Sequence, residues 1–412
     1  MERIFNFSAG PARGSVMNVL IADKVSAKMV VDLKSLGFEV TTNPDISSAD
    51  LHNVIGNAEI LIVRSKQVTA TTIDAATALS LIIRAGAGVN TIDIKRASEK
   101  GIYVSNCPGK NTDAVAELTI GLLIAADRQI PNALFDLRNG KWRKKEYGKA
   151  RGLKGRTLGI IGLGNIGCAV ARCAKGMGME VIGWSRSLTS EKAQALGIGF
   201  CASPTDLASN AHAVSVHIAL SKDTRGLIGS EFFGAMKKGA IFVNTARSEV
   251  VDGLALKEAL RNGKIYAGLD VFENEPTTGE ADFADTELAS LLAAAAPHIG
   301  ASTDQAEEAI AEEAVRVAKI FAETGKPANA INPRKLHVGF PLVIRHYNRI
   351  GVLANVLREL SDEGINIEEM ENTIFEGEDA ACCSLVLDKK PSSVLIANIC
   401  NIEHIIQASA KS

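Results

Sequence analysis

Short apolar runs recur along most of the chain, each followed by a stretch whose apolar residues return at helical spacing. Such a run, bounded by turn residues, reads as a buried parallel strand, and the stretch after it as the helix crossing back over the sheet. In the first part this places strands at 16–21, 59–63, 79–83 and 102–105, and helices at 24–36, 51–58, 71–78 and 92–100. Cys107-Pro108-Gly109 interrupts the alternation. A long apolar helix at 112–128 follows, and its small residues, among them Ala114, Ala116, Gly121 and Ala126, suit close packing. A second alternating set has strands at 156–161, 180–184, 213–218, 240–244 and 267–271, with helices at 205–209 and 254–261 between them. A long helix at 303–323, closed by Gly325-Lys326-Pro327, is expected to return to the first domain. Beyond Asn332-Pro333-Arg334 the pattern changes to strand 342–346, helix 351–362, strands 365–373 and 381–387, helix 392–399 and strand 404–408. That β-α-β-β-α-β order is ferredoxin-like.

The expected class is α/β, with two doubly wound parallel-sheet domains and a third small domain. The expected boundaries are an N-terminal extension at 1–14, a discontinuous domain at 15–111 with 299–331, an inserted domain at 112–298, and a C-terminal domain at 338–412. The extension carries Ile4-Phe5-Asn6-Phe7-Ser8-Ala9-Gly10-Pro11, which resembles the opening of phosphoserine aminotransferases.

Within the inserted domain, Gly162-Leu163-Gly164-Asn165-Ile166-Gly167 joins an apolar strand to a small-residue helix. Strand, glycine turn and helix are the context that the dinucleotide fingerprint requires. Gly162 allows the tight turn, Gly164 lets the backbone approach a pyrophosphate, and Gly167 lets helix and strand pack closely. The helix N-terminus then presents free N–H groups and its positive dipole end to phosphate.

Bulk properties change this picture little. The 412 residues are 46% hydrophobic and 22% charged, an ordinary globular balance, and two or three domains fit that length. The net charge of −2 gives no general attraction to nucleic acid or to an anionic membrane surface. The seven cysteines show neither zinc spacing nor a secreted disulfide pattern, so no metal is expected. No apolar run reaches membrane-span length and the N-terminus lacks a signal-peptide layout, so a cytoplasmic location is expected.

Three polar residues stand just past strand ends of the inserted domain: Arg247, Glu275 and His298. Ligands of open α/β sheets bind at the carboxyl ends of strands, so all three can reach one crevice. An oxidoreductase acting on a hydroxyl needs a group that takes the hydroxyl proton, and imidazole suits that at neutral pH. A carboxylate beside it fixes the ring, and a guanidinium can clamp a substrate carboxylate.

At this point the chain resembles the D-isomer-specific 2-hydroxyacid dehydrogenases, and within them the phosphoglycerate dehydrogenases. The matching stretches are Leu61 to Ser65, Arg84 to Val89, Gly162 to Gly167, Val243 to Arg247, Leu269 to Pro276 and Pro297 to Thr303. The resemblance implies a flavodoxin-like substrate domain and a Rossmann NAD domain. It makes His298 the acid/base, Glu275 its partner and Arg247 the substrate anchor. It implies cofactor contacts at Ala87, Gly162, Gly164, Asn165, Ile166, Gly167, Ser185, Arg186, Thr245, Ala246, Arg247, Asp270, His298 and Gly300. The substrate set it implies is Arg64, Ser65, Arg84, Gly86, Asn111, Lys141 and Arg143, with 3-phosphoglycerate as substrate and a homodimer or homotetramer as the assembly. Phosphoglycerate carries two anionic groups, so extra cations are needed; Arg64 and Arg84 end neighbouring strands. The basic loop Gly140 to Lys145 is either a lid over the phosphate or a solvated charge run.

The sequence departs from the family where an acidic residue after Trp184 normally accepts the ribose hydroxyls. Ser185 and Arg186 stand there, so NADP is left open beside NAD. Two other readings share the fold: a hydroxypyruvate or glyoxylate reductase using NADPH, and a nucleotide-sensing corepressor-like protein. The C-terminal domain resembles an ACT domain on Arg345 to Leu353 and Glu363 to Ile367. That resemblance implies L-serine as effector, held by His346, Asn348 and Asn366, residues whose side chains supply donors and acceptors.

Overall fold

The computed structural model describes residues 16–276, 280–334 and 339–410. The extension 1–14 lies outside the described residues, as do Lys335 to Val338 at the expected start of the small domain. The chain divides into two compact units, the second beginning at Pro333.

The first unit contains two parallel sheets. One comprises β1 (Asn18–Ile21), β2 (Glu39–Thr42), β3 (Ile60–Val63), β4 (Leu81–Arg84) and β5 (Tyr103–Asn106), in the flavodoxin-like order β2-β1-β3-β4-β5. Every residue of β3 is buried, which is why the run Ile-Leu-Ile-Val shows no alternation. The strand β2 has no counterpart among the strands expected from the pattern. It is an edge strand of sequence Glu-Val-Thr-Thr with no buried residue, so burial leaves no mark on its composition. The expected helix 51–58 shrinks to a single 3-10 turn, Leu51–Asn53; Gly56 at φ +38° precedes the entry into β3.

The helix Asp304–Thr324 covers one face of this first sheet. Its Ile310, Ala314, Val317 and Phe321 are buried with Ile21, Ile60, Leu81 and Ile83. Thr303 Oγ1 accepts from Ala306 N at 3.2 Å, two acids lie in the first turn, and Gly325 at φ +71° ends the helix. The chain then runs along β5, where Asn332 Oδ1 accepts from Val104 N at 2.8 Å. Sequence-distant segments thus close one core.

The second sheet comprises β6 (Thr157–Ile161), β7 (Glu180–Trp184), β8 (Gly199–Phe200), β9 (Ala213–Val216), β10 (Ala240–Asn244), β11 (Ile265–Leu269) and β12 (Ala294–Ala295). Its order, β12-β11-β10-β9-β6-β7-β8, is the Rossmann order with one extra strand. The chain reverses direction across the sheet between β6 and β9, which opens a crevice at their carboxyl ends. The helix Thr112–Arg128 packs on this sheet through Ala116, Leu122, Leu123 and Ala126.

The second unit is an antiparallel sheet of β13 (Phe340–Tyr347), β14 (Ile367–Ile374), β15 (Ala380–Leu387) and β16 (Ile405–Ala410), ordered β14-β15-β13-β16. With the helices Val352–Asp362 and Ser393–Cys400 it is ferredoxin-like. The helices cover one face, and Leu342, Ile344, Val356, Leu385 and Leu395 form the core between.

Candidate active site

The glycine turn leaves β6 at the switch point between β6 and β9. Gly162 has φ +96°, and a Cβ there would stand 2.6 Å from the His217 carbonyl oxygen just past β9. A Cβ on Gly167 would overlap the Gly162 carbonyl oxygen. Gly164 differs: no protein atom lies within 4 Å of the place a Cβ would take. Gly164 precedes the helix Asn165–Gly176 without a side-chain cap, so the first N–H groups of that helix face open space. Two glycines therefore serve the chain's own packing, and the third leaves room for a pyrophosphate.

Arg247, Glu275 and His298 line one cavity of about 630 Å³ at the carboxyl ends of β10 and β11. The Arg247 carbonyl accepts from Asn244 Nδ2 at 2.9 Å, which holds the loop after β10. A Cβ on Gly88 would stand 2.5 Å from the Arg247 guanidinium, so that glycine lets the first lobe approach the arginine closely. Glu275 Oε1 accepts from Phe272 N at 2.9 Å, and Oε2 lies 2.6 Å from His298 Nδ1. Burial alone raises the Glu275 carboxyl pKa. Hydrogen bonds from His298 and Phe272, with the positive charge nearby, outweigh that and hold it below the usual glutamate value.

His298 sits at φ +54°, a left-handed conformation uncommon outside glycine that histidine tolerates better than most residues. The buried Asp270 over-determines it. One carboxylate oxygen accepts from Ile299 N and the other from Gly300 N, each at 2.9 Å. A Cβ on Gly300 would press to 2.9 Å from that second oxygen. Burial raises the Asp270 pKa, although the two N–H bonds and His298 pull it down. Asp270 thus fixes the backbone from which the imidazole projects.

Arg84 ends β4 and its guanidinium folds over Gly86, in the space a Cβ there would fill. Burial first, then repulsion from Arg247 and Arg64, push it down to about 10. Three guanidinium groups from β3, β4 and β10 therefore share one electrostatic environment. Arg64 Nη1 is 2.7 Å from Glu307 Oε1, so one of the three is already paired. A buried acid absent from the expected site organises this edge. Asp23, just past β1, accepts from Arg64 N, Ser65 N and Lys66 N at 2.7, 3.0 and 3.0 Å, and from Ser65 Oγ at 3.1 Å. The hint in the sequence is a lone acid directly after an apolar strand. Asp23→Ala should leave three loop N–H groups unpaired and raise KM for the anionic substrate by roughly fivefold or more, with kcat changed less. Steady-state kinetics on that variant decide this.

Other expected residues are placed differently. Thr245 is buried and its hydroxyl lies 2.9 Å from that of Thr119. Ala87 receives Asn106 Nδ2 on its carbonyl, and Asn111 begins the helix Thr112–Arg128 without capping it. Ile166 packs partly into the core behind the glycine turn, and Asn165 Nδ2 lies against Gly109. The exposed Arg186 pairs with Asp223 at 3.1 Å, beside half-buried Ser185. Lys141 and Arg143 do not reach the cavity in this chain. Arg143 lies 3.2 Å from Asp136 and 3.4 Å from Glu146, and Glu146 opens on a space by Lys238 and Gly239, ahead of β10. In the second unit, His346 is buried in β13, with Nδ1 bonded to the Tyr347 carbonyl and Nε2 3.2 Å from Asn372 Oδ1. Asn348 donates to the Glu378 carbonyl, and Asn366 N–H is held by Asp388. Among the described residues no cluster of acids, histidines or cysteines could hold a metal ion, and no helix is long and apolar enough to cross a membrane.

Residues 120–300 match the family described as D-isomer specific 2-hydroxyacid dehydrogenase, NAD binding domain. A D-3-phosphoglycerate dehydrogenase of Methanocaldococcus jannaschii is 36% identical over 367 residues, which are 88% of this chain and 68% of that protein. The chain belongs to the D-isomer-specific 2-hydroxyacid dehydrogenases. A hydroxypyruvate reductase of Thermotoga maritima is 40% identical over 74% of this chain and 96% of its own length. The NAD+-bound 3-phosphoglycerate dehydrogenase structure of Entamoeba histolytica superposes with a TM-score of 0.65 at 27% identity, covering 78% of this chain and all of that one. The family's cofactor is NAD, and the open N-terminus of the helix after Gly164 fits its pyrophosphate. Asp223 pairs with the exposed Arg186, so a 2′-phosphate would compete with that carboxylate for the guanidinium. Asp223→Ala should therefore improve NADP use relative to NAD, and Ser185→Asp should shift it the other way. The ratio of kcat/KM for the two cofactors is the measurement, and an unmoved ratio in both variants would place ribose reading elsewhere.

Proposed function

We propose that this dehydrogenase oxidises D-3-phosphoglycerate to 3-phosphohydroxypyruvate, the first step of L-serine formation, and that serine regulates it through the C-terminal domain. The single observation that carries the substrate reading is that the charges of Arg64 and Arg247 both act on the buried Arg84, with Arg247 in the cavity that holds His298. A simple 2-hydroxy acid needs one cation for its carboxylate; a phosphorylated one needs more. The lobe formed by 15–111 with 299–331 is assigned to substrate, 112–298 to cofactor, and the ferredoxin-like domain to an ACT-like regulatory role. A homodimer or homotetramer is the assembly proposed.

In this mechanism Nδ1–H of His298 donates to Glu275, which leaves Nε2 to take the substrate hydroxyl proton. Glu275 stabilises the imidazolium that results. Arg247 clamps the substrate carboxylate and polarises the reacting carbon–oxygen bond, while Arg64, Ser65 and Arg84 receive the phosphate. Bound NAD supplies the hydride acceptor. Asp270 keeps His298 aimed through the two backbone bonds after it.

The discriminating experiment measures initial rates with 3-phosphoglycerate and NAD against hydroxypyruvate and NADPH, with and without millimolar L-serine. Preference for unphosphorylated hydroxypyruvate would move the reading to a reductase, as in the Thermotoga maritima relative. Serine that neither binds nor slows the enzyme would leave the C-terminal domain without a regulatory role.

A further inference from the structure

The end of the Rossmann sheet opposite the active site holds a second cavity, of about 550 Å³. It lies ahead of β10 and β11, among Arg128, Lys149, Arg151, Arg156, Lys238 and Tyr266. Its volume is in the range of small-molecule sites. The two acids at its wall are committed elsewhere. Asp127 pairs with Arg156 at 2.9 Å, and Glu146 lies 3.4 Å from Arg143. Arg128, Lys149, Arg151 and Lys238 have no acidic partner among the described residues. Four unpaired cations around one concavity are not a bulk property of a chain whose net charge is −2. A bound anion would meet four charges uncommitted to any acid. Of the four, Arg151 also acts on the nearby His212, whose pKa is depressed by burial first, then by Lys237, Arg156 and Arg151.

We propose that this cavity binds a small polyvalent oxyanion, a phosphate ester or a polycarboxylate. Phosphate and carboxylate share the chemistry the four cations recognise, oxygens carrying two or more negative charges. Tyr266, about half exposed, gives the ligand one flat apolar wall. The site is separate from the catalytic crevice. The five residues of β10 lie between Lys238 and Arg247, a span of roughly 17 Å at strand rise. Binding therefore does not compete with substrate or cofactor.

The test is titration calorimetry on the full chain at low salt with saturating NAD, using sodium pyrophosphate in one arm and citrate in the other. Binding in either arm that weakens about tenfold or more in the double variant Arg151→Glu, Lys238→Glu supports the site and names the ligand class. NAD affinity and kcat should stay within about twofold of wild type in that variant. An Arg64→Gln, Arg84→Gln variant should bind the anion as wild type does; loss there would put the anion in the catalytic crevice and overturn the proposal. No binding in either arm, or binding that survives the charge reversal, overturns it too. So does a change of oligomeric state in the reversed variant with anion binding intact, which would make the cations an interface between copies.

Discussion

His298→Ala should lower turnover by roughly two to four decades, the span usual for loss of a general acid–base group, and leave NAD affinity nearly unchanged. The separation follows from the architecture. His298 projects from the loop after β12 and is held there by Asp270, whereas the turn we assign to the pyrophosphate follows β6. Alanine removes the ring at Glu275 Oε2 and leaves that half-buried carboxylate without its 2.6 Å partner. Stopped-flow or steady-state rates, with NAD binding followed separately by fluorescence, decide the point. Near-normal turnover would sink the role given to His298. Parallel loss of NAD binding would mean that the ring supports the cofactor rather than the proton.

Gly167→Ala should have the opposite signature. A single methyl there would meet the Gly162 carbonyl oxygen, so helix and strand must separate or the turn must shift. Overpacking of this kind costs about 1–3 kcal/mol, and the distorted element is the one we assign to the pyrophosphate. NAD affinity should fall by about one to two decades while the His298–Glu275 pair stays assembled. Gly164→Ala is the internal control, since that Cβ meets no protein atom. Its folded stability should be unchanged, and any loss of NAD affinity there reports the ligand itself. Thermal melts of the two variants with and without NAD separate these cases. Equal behaviour of both would overturn the distinction between packing and cradling glycines.

Elements of the chain differ in how much their residues reveal alone. Fully buried parallel strands such as β3 and β10 are legible because burial on both faces demands unbroken apolar runs. The glycine turn is legible because its spacing answers a steric demand at each position. The edge strand β2 is not, because solvent places no demand on its side chains, and neither is the helix Ile130–Arg138, whose Leu134, Phe135 and Leu137 lie exposed.

By itself the sequence determined the three-part α/β order, the dinucleotide turn, and the presence of an arginine, a glutamate and a histidine after successive strands. Those features follow from local periodicity and from short-range sterics, which neighbouring residues carry. Only the tertiary structure decided which charges remain free. Arg186 is paired with Asp223, and Arg64 shares its charge with Glu307, 243 residues away in the chain. Arg143 turns to Asp136 at the other end of β10, and His346 spends both ring nitrogens inside its own sheet. Asp23 becomes the clamp of a loop about forty residues downstream. Whether a charged side chain is a ligand or a partner depends on what the fold brings within about 3–4 Å of it, and no local pattern in the chain encodes that distance.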